Sequence, residues 1–426
     1  MESPGVLMDV ERDREGKEEK REGLDGRTSP RRSVIGTVLK SVFSVLLTLV
    51  LLELVCRFFY FVPVTARGGV FRRDAVADHS HYPYGIGRMV NPEFDVVLRM
   101  NNIGMRDDDI AIPKPPGRKR ILVIGDSFME GWGVQRGEMF TDRLEKLLKR
   151  ENPDAEVVAA GVASWSTLTE LGWFRRNGKR LQPDAVLLML DTTDVAGDSF
   201  YAHRLVRDGR GRPLLIRRGE RYLELPLPIH EFLCRVSYTY RVFDRIMIKK
   251  LPKTKWDYGY WDDGDDVWLP ARPPEEVPQE KYEQAWSLTR EALRTFRDLL
   301  DEEGIPWMVV QYPIGAEVDT DAWMPGRHTA DFPDGIIAPR RFEYFSRVAK
   351  EDRLPYFSLF EAFSKDKRPA RLYLPRDGHW SAAGHEVAAR AVAAEILRRG
   401  WIRKENEGKE KGENAEEERE NAKGER

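Results

Sequence analysis

The chain has 426 residues, 41% of them hydrophobic, with 69 Lys+Arg against 71 Asp+Glu and a formal net charge of -2. That length holds one large core or two modest ones, since single domains extend to about 250–300 residues. The charge balance excludes a general attraction to nucleic acid or an anionic membrane surface, so partners must be argued locally. Two cysteines, Cys56 and Cys234, exclude a disulfide framework and a cysteine-rich zinc site.

Residues 1–32 are rich in Glu, Arg, Lys and Gly without apolar periodicity and read as a disordered tail. The segment 33–62, SVIGTVLKSVFSVLLTLVLLELVCRFFYFV, exceeds the roughly 20 helical residues that cross a bilayer, so it is expected to span the membrane. Lys40 and Arg57 lie near its ends, where long side chains snorkel, and Glu53 lies deeper, one turn from Arg57. Arg21, Arg27, Arg31 and Arg32 precede the segment, against Arg67, Arg72 and Arg73 after it. This bias places the N-terminus in the cytoplasm and the remainder outside it, with the anchor uncleaved. Residues 63–118 form a juxtamembrane region closed by Pro113, Pro115, Pro116 and Gly117.

From 119 to 401 short apolar runs alternate with helical patterns. Strands are expected near 120–125, 156–161, 185–191, 306–312 and 355–360, and helices near 138–150, 167–181, 280–303, 338–351 and 381–399. Alternation of this kind predicts an α/β domain with a doubly wound parallel sheet of five strands, and continuous runs such as ILVI, AVLLML and WMVV predict that helices cover both faces. The stretch 198–279 breaks the rhythm and reads as an insertion with its own helix near 230–250. Its Trp256, Tyr258, Tyr260, Trp261 and Trp268 stand among Asp262, Asp263, Asp265 and Asp266, a mixture suited either to packing the insertion down or to stacking on sugar rings. Residues 402–426 repeat the charged composition of the N-terminal tail.

In an open parallel sheet, ligands bind beyond the carboxyl ends of the strands. Ser127 follows the first strand, Gly161 ends the second, Thr193 and Asp194 end the third, and Asp377 and His379 precede the last helix, for which Ser381 is the expected cap. A serine hydroxyl needs a base to take its proton, and that base needs an orienting acceptor. His379 and Asp377 supply both roles for Ser127. An oxyanion needs hydrogen-bond donors, for which the backbone N–H groups of Ser127 and Gly161 are candidates. Asp126, Asp194, Arg106 and Glu130 are weaker candidates for substrate contacts. The carboxylates Asp126, Asp191, Asp194 and Asp198 come without clustered histidines, so no metal is expected, and nothing in the chain calls for a cofactor. His79, His81, His203, His230, His328 and His385 read as structural or solvated.

These residues resemble the SGNH (GDSL-type) hydrolase superfamily over roughly 100–400, through NIGMR at 102–106, RILVIGDSFMEGWGV at 120–134, AAGVASWST at 159–167, PDAVLLMLDTTDV at 183–195 and DGHWSAAGH at 377–385. The resemblance implies a flavodoxin-like fold, Ser127 as nucleophile, Asp377 and His379 as orienter and base, and Gly161 in the oxyanion hole. Thr193 stands where the family has an asparagine that donates to the oxyanion, and its shorter hydroxyl is the candidate donor in that place. The Asp-x-His-Trp form is similar to the membrane-associated branch related to exopolysaccharide and alginate O-acetylation. It implies acetyl-ester hydrolysis or transfer on a cell-envelope or exported polysaccharide, with a membrane acyl-donor partner. The rival reading is a catalytically silent glycan-binding or scaffold protein of the same fold.

Overall fold

The computed structural model describes residues 30–58, 70–90, 93–217, 275–329 and 340–402, with a few single positions between 233 and 269. Apart from residues 30–32, Ile402 and those single positions, the expected tails and the helix near 230–250 lie outside the described residues, as do the aromatic and acidic residues at 256–268. The chain divides into one unit ending at Val55 and another beginning at Cys56.

Helix α1 (Pro30–Phe58) contains a span, Val34–Cys56, apolar and long enough to cross a membrane, with a mean hydropathy of 2.3. Its large apolar side chains are exposed, Phe43 by 66% and Leu39 by 63%, which water would penalise and lipid would not. A signal sequence near the N-terminus can also carry an apolar helix of this kind. The Arg57 side chain, the expected neighbour of Glu53, lies outside the described set.

The second unit opens with two hairpins, β1 (Phe71–Asp74) with β2 (Asp78–His81) and β3 (Ile86–Val90) with β4 (Asp95–Arg99). The parallel sheet then comprises β5 (Lys119–Gly125), β6 (Ala155–Gly161), β7 (Ala185–Leu190), β10 (Trp307–Gln311) and β11 (Tyr356–Ser358). They lie in the order β11-β10-β7-β5-β6. Between β7 and β10, β8 (Leu205–Arg207) and β9 (Pro213–Ile216) form a third hairpin. The helices are α2 (Ser127–Glu130), α3 (Phe140–Leu148), α4 (Thr167–Leu181), α5 (Thr193–Tyr201), α6 (Gln279–Glu302), α7 (Gly326–Thr329), α8 (Arg340–Glu351), α9 (Phe360–Ser364) and α10 (Ala382–Arg398). Ser381 caps α10, its side chain accepting from the Gly384 N–H.

Successive side chains of a strand point to opposite faces, and the core divides accordingly. Leu122, Ile124, Val158, Val186, Leu188 and Val309 join a layer with residues of α4, α6 and α8. Ile121, Val123, Val157, Leu187, Met308 and Val310 join another with residues of α3 and α10. The sheet is therefore doubly wound, and its direction of winding reverses between β5 and β7. Adjacent loops diverge at such a switch point and leave a crevice at the carboxyl edge.

The region before β5 is part of this architecture, since Ala77, Met105 and Ile110 belong to the first core layer. β4 alternates exposed and buried positions, with Val96 and Leu98 packed beside Met89, whereas β2 has no apolar alternation. β2 reads DHSH and is buried throughout, so its polar side chains are held by partners from other elements rather than by a hydrophobic face.

Candidate active site

β5 ends at Gly125, and Asp126 caps the single turn of α2 by accepting from the Phe128 N–H, which sets Ser127 at the start of that turn. At the other end of the chain, Gly378 adopts φ +88, a left-handed conformation that suits a residue without Cβ, and an added Cβ would lie 2.6 Å from Trp323 Nε1. Bonds from Gly378 N–H to Leu374 O (2.9 Å) and from Leu374 N–H to His379 O (2.8 Å) close this loop just before α10.

The two segments, 252 positions apart, meet with Ser127 Oγ 2.7 Å from His379 Nε2. His379 Nδ1 donates to Asp377 Oδ1, which fixes the tautomer and leaves Nε2 to accept the serine proton. Two further groups hold Asp377. The Trp132 indole N–H donates to its Oδ2 (3.1 Å), and Glu93 accepts from the backbone N–H groups of Arg376 and Asp377 (both 2.8 Å). Trp132 also stacks on His379 with ring centroids 5.6 Å apart, and Phe128 lies 4.7 Å from the same ring.

Burial penalises the charged form of both members of the pair, and in both the partner outweighs it. Asp377 is held below the usual carboxylate range by the charge and hydrogen bond of His379 and by Trp132. His379 is raised by Asp377 and, at longer range, by Asp126 and Asp191. Such an ion pair stabilises the imidazolium that forms when Ser127 gives up its proton.

The expected oxyanion donors fare differently. Ser127 N–H has no acceptor among the described residues, as a donor for a developing charge requires. Thr193 does not serve, because its hydroxyl donates to Asp191 Oδ1 at 2.7 Å and its one proton is thereby engaged. Gly161 is corrected as well. Val162 N–H donates to Gly125 O, so ladder alternation turns the Gly161 N–H to the outer edge, where Ala159 donates to Asp107 and Val157 to Glu145. Gly161 instead permits close packing, since a Cβ there would lie 2.3 Å from Glu130 N. Like that of Gly161, the Ser164 N–H has no described acceptor, and Ser164 has φ +67. The sequence signal for it is slight, a non-glycine residue in a short turn.

All four candidate substrate contacts are buried and engaged elsewhere. Arg106 donates to the carbonyls of Glu130 (3.2 Å), Gly131 (2.6 Å) and Val134 (2.8 Å), bracing the loop that carries Trp132, and burial lowers its pKa to about 10. Glu130 accepts from Ala163 N–H (2.6 Å) and lies 3.6 Å from His81. Asp126 accepts from Phe128 N–H and the Tyr312 hydroxyl (3.0 Å). Burial and then Asp191 push its carboxyl up to about 7. Asp194 accepts from Asp191 N–H (2.8 Å). Charged side chains beside the motifs read as candidate substrate contacts in sequence, and only the packing shows them facing inward.

His385, on α10, accepts from Phe140 N–H (3.1 Å) and is held neutral, its pKa lowered by burial to about 3. His203 lies in the turn after α5 and His328 in α7. His230 lies outside the described residues. No cluster of three or more His, Cys, Asp or Glu among the described residues has the geometry to hold a metal ion.

Residues 263–425 match the family model described as "SGNH hydrolase-like domain, acetyltransferase AlgX", a stretch that includes Asp377 and His379 and begins after Ser127. No curated protein matches the chain. Among solved structures, the lipase/acylhydrolase from Enterococcus faecalis is 14% identical, with 66% of this chain and 96% of that one covered and a TM-score of 0.35. The aryl esterase of M. smegmatis is 16% identical, with 66% and 99% covered and a TM-score of 0.34. A catalytic mutant of Axe2, an acetylxylan esterase from Geobacillus stearothermophilus, is 18% identical, with 67% and 96% covered and a TM-score of 0.33. At these TM-scores the likenesses carry no argument about substrate.

Proposed function

We propose that the chain is a membrane-anchored serine O-acyl esterase or O-acyltransferase with an SGNH hydrolase-like domain, a reading supported by the family model matched over residues 263–425. In this reading it removes or transfers acetyl groups on a cell-envelope or exported polysaccharide. The observation that carries the reading is the 2.7 Å contact of Ser127 Oγ with His379 Nε2, with Asp377 on the other ring nitrogen.

In the first half-reaction, Ser127 Oγ bonds to the acyl carbonyl carbon while His379 Nε2 takes the hydroxyl proton. The C–O bond to the leaving alcohol then breaks, and Nε2 returns the proton to that oxygen, leaving an acyl-serine. In the second half-reaction, water or a sugar hydroxyl gives its proton to Nε2 and attacks the acyl carbon, which frees Ser127. The two acceptors are equivalent to the three side chains, so hydrolysis and transfer share one mechanism. The acceptor bound beyond the carboxyl edge selects between them.

Acetyl as the acyl group is supported by the description of the matching family model, an acetyltransferase. An extracytoplasmic polysaccharide acceptor and a membrane acyl-donor partner are supported by α1 together with the arginine bias around it. The test uses the full chain in detergent micelles with p-nitrophenyl acetate. Wild type should release nitrophenol, and Ser127→Ala should lower kcat by about 10⁴-fold or more. Equal inertness of the two proteins, with glycan binding retained, would overturn the enzymatic reading in favour of a binding protein. Alkaline-phosphatase fusions after Val70 should be active, and silent fusions would reverse the orientation.

A further inference from the structure

We propose that His79, in the hairpin before the sheet, is a positioning residue for acyl transfer that aims the Ser164 N–H through the Ala163–Ser164 peptide. The inference rests on Ser127 being an acyl-transfer nucleophile.

After β6 the chain makes a tight turn closed by Trp165 N–H donating to Val162 O at 3.1 Å, and Ser164, the third residue of the turn, has φ +67. A serine in the left-handed region is strained, because its Cβ crowds the following carbonyl oxygen. A turn of this kind relaxes by rotating its central peptide by half a turn, which brings the third residue to negative φ and reverses its N–H. Here the central peptide is the one joining Ala163 to Ser164. Its C=O and N–H are antiparallel, so whatever holds the Ala163 carbonyl also fixes the direction of the Ser164 N–H.

His79 holds that carbonyl, with Nε2 2.8 Å from Ala163 O. The ring is buried, 4% exposed, and is held in turn by Asp78, whose Oδ2 lies 3.0 Å from Nδ1. Asp78 is anchored by Arg204 (2.5 Å) and Tyr201 (3.4 Å). The Trp165 indole N–H donates to His79 O (2.8 Å), a second tie between β2 and the turn. From the other side, Glu130 accepts from the Ala163 N–H and fixes the preceding peptide, and Glu130 stands three residues from Ser127 on the same turn of helix. Two consecutive peptides are thus clamped, one by the nucleophile's own element and one by the hairpin. With the hydroxyl of Thr193 engaged by Asp191, the hole depends on backbone donors, and their aim matters more.

The experiment compares kcat and KM for p-nitrophenyl acetate in the full chain in detergent micelles, with Ser127→Ala alongside. Loss of one oxyanion donor lowers kcat by about 10²–10³-fold. Misdirecting one through His79→Leu should lower kcat by roughly 10-fold or more while KM stays within about twofold. His79→Gln, whose amide reaches the same carbonyl, should recover most of the loss. A folded His79→Leu protein with kcat within about twofold of wild type, or a Gln variant no better than Leu, overturns the proposal. If the Leu variant does not fold, His79→Gln and His79→Asn decide: retention by Gln and loss by the shorter Asn is expected, and equal kcat overturns it. A wild type no more active than Ser127→Ala overturns the acyl-transfer reading and this inference with it, whereas an active wild type with unaffected His79 variants overturns the inference alone.

Discussion

Two groups of carboxyls meet at this site, and their surroundings drive them in opposite directions. Asp377 faces an imidazole and an indole N–H, and these hold it ionised although burial opposes the charge. Behind the nucleophile, Asp126, Glu170, Asp194 and Asp198 face one another, Asp191 and hydroxyl groups. Burial comes first for all four and raises every one of them. The chemistry of the partner, not the residue type, decides the charge state. The ionised Asp377 is also the main pull on the His379 proton, which makes the imidazole a stronger base.

The largest expected effect tests the ionised member. Asp377→Asn removes the charge and offers the ring an amide, so kcat should fall by up to about 10⁴-fold. Its residual activity should also have an acidic limb at lower pH than wild type. The base form of His379 is reached only above its raised pKa, and the largest opposing charge is then gone. A limb that stays in place would show that the floor carboxyls, not Asp377, set the titration.

The next tests the floor. Asp198 accepts from Leu168 N–H (2.8 Å) and the Thr289 hydroxyl (2.7 Å), and burial raises its pKa from 3.8 to about 6. A raised folded-state value means that the protonated form is favoured by folding. The stability this gives is complete below the unfolded pKa and is lost as pH rises through the folded one, a change of roughly 3 kcal/mol between about pH 4 and 6. Asp198→Asn keeps an acceptor and cannot ionise, so denaturant melts across that window should lose this slope. An unchanged slope would remove Asp198 from the account.

The smallest effect separates charge from hydrogen bonding around Asp377. Trp132→Phe keeps a ring against His379 and deletes the indole N–H, and loss of one hydrogen bond to a charged acceptor should lower kcat by roughly 10-fold. Full activity would mean that His379 alone holds Asp377 in place.

Regular elements built from near neighbours are legible in the sequence. α4, expected at 167–181, spans Thr167–Leu181, and β5, expected at 120–125, spans Lys119–Gly125. The apolar alternation and end signals that make these elements are themselves local. The hairpin β1–β2 is not legible, since a strand such as DHSH carries no apolar period and is stabilised by ionic partners far along the chain, as Asp78 is by Arg204. The sites show the same division. Ser127 and the Asp377–His379 loop stand at strand and helix ends that local punctuation marks, whereas Arg106, Glu130, Asp126 and Asp194 read as candidate substrate contacts and are buried.

By itself, the sequence determined the apolar N-terminal helix, the succession of strands and helices, and the three side-chain types that meet at the sheet's carboxyl edge, because periodicity, capping and turn chemistry act over a few residues. Tertiary structure alone decided which groups stay free to act. Thr193 commits its hydroxyl proton to Asp191, Gly161 serves packing, and Ser164 keeps an open N–H in a turn gripped by His79. Whether a donor is free depends on the acceptors that distant segments bring beside it.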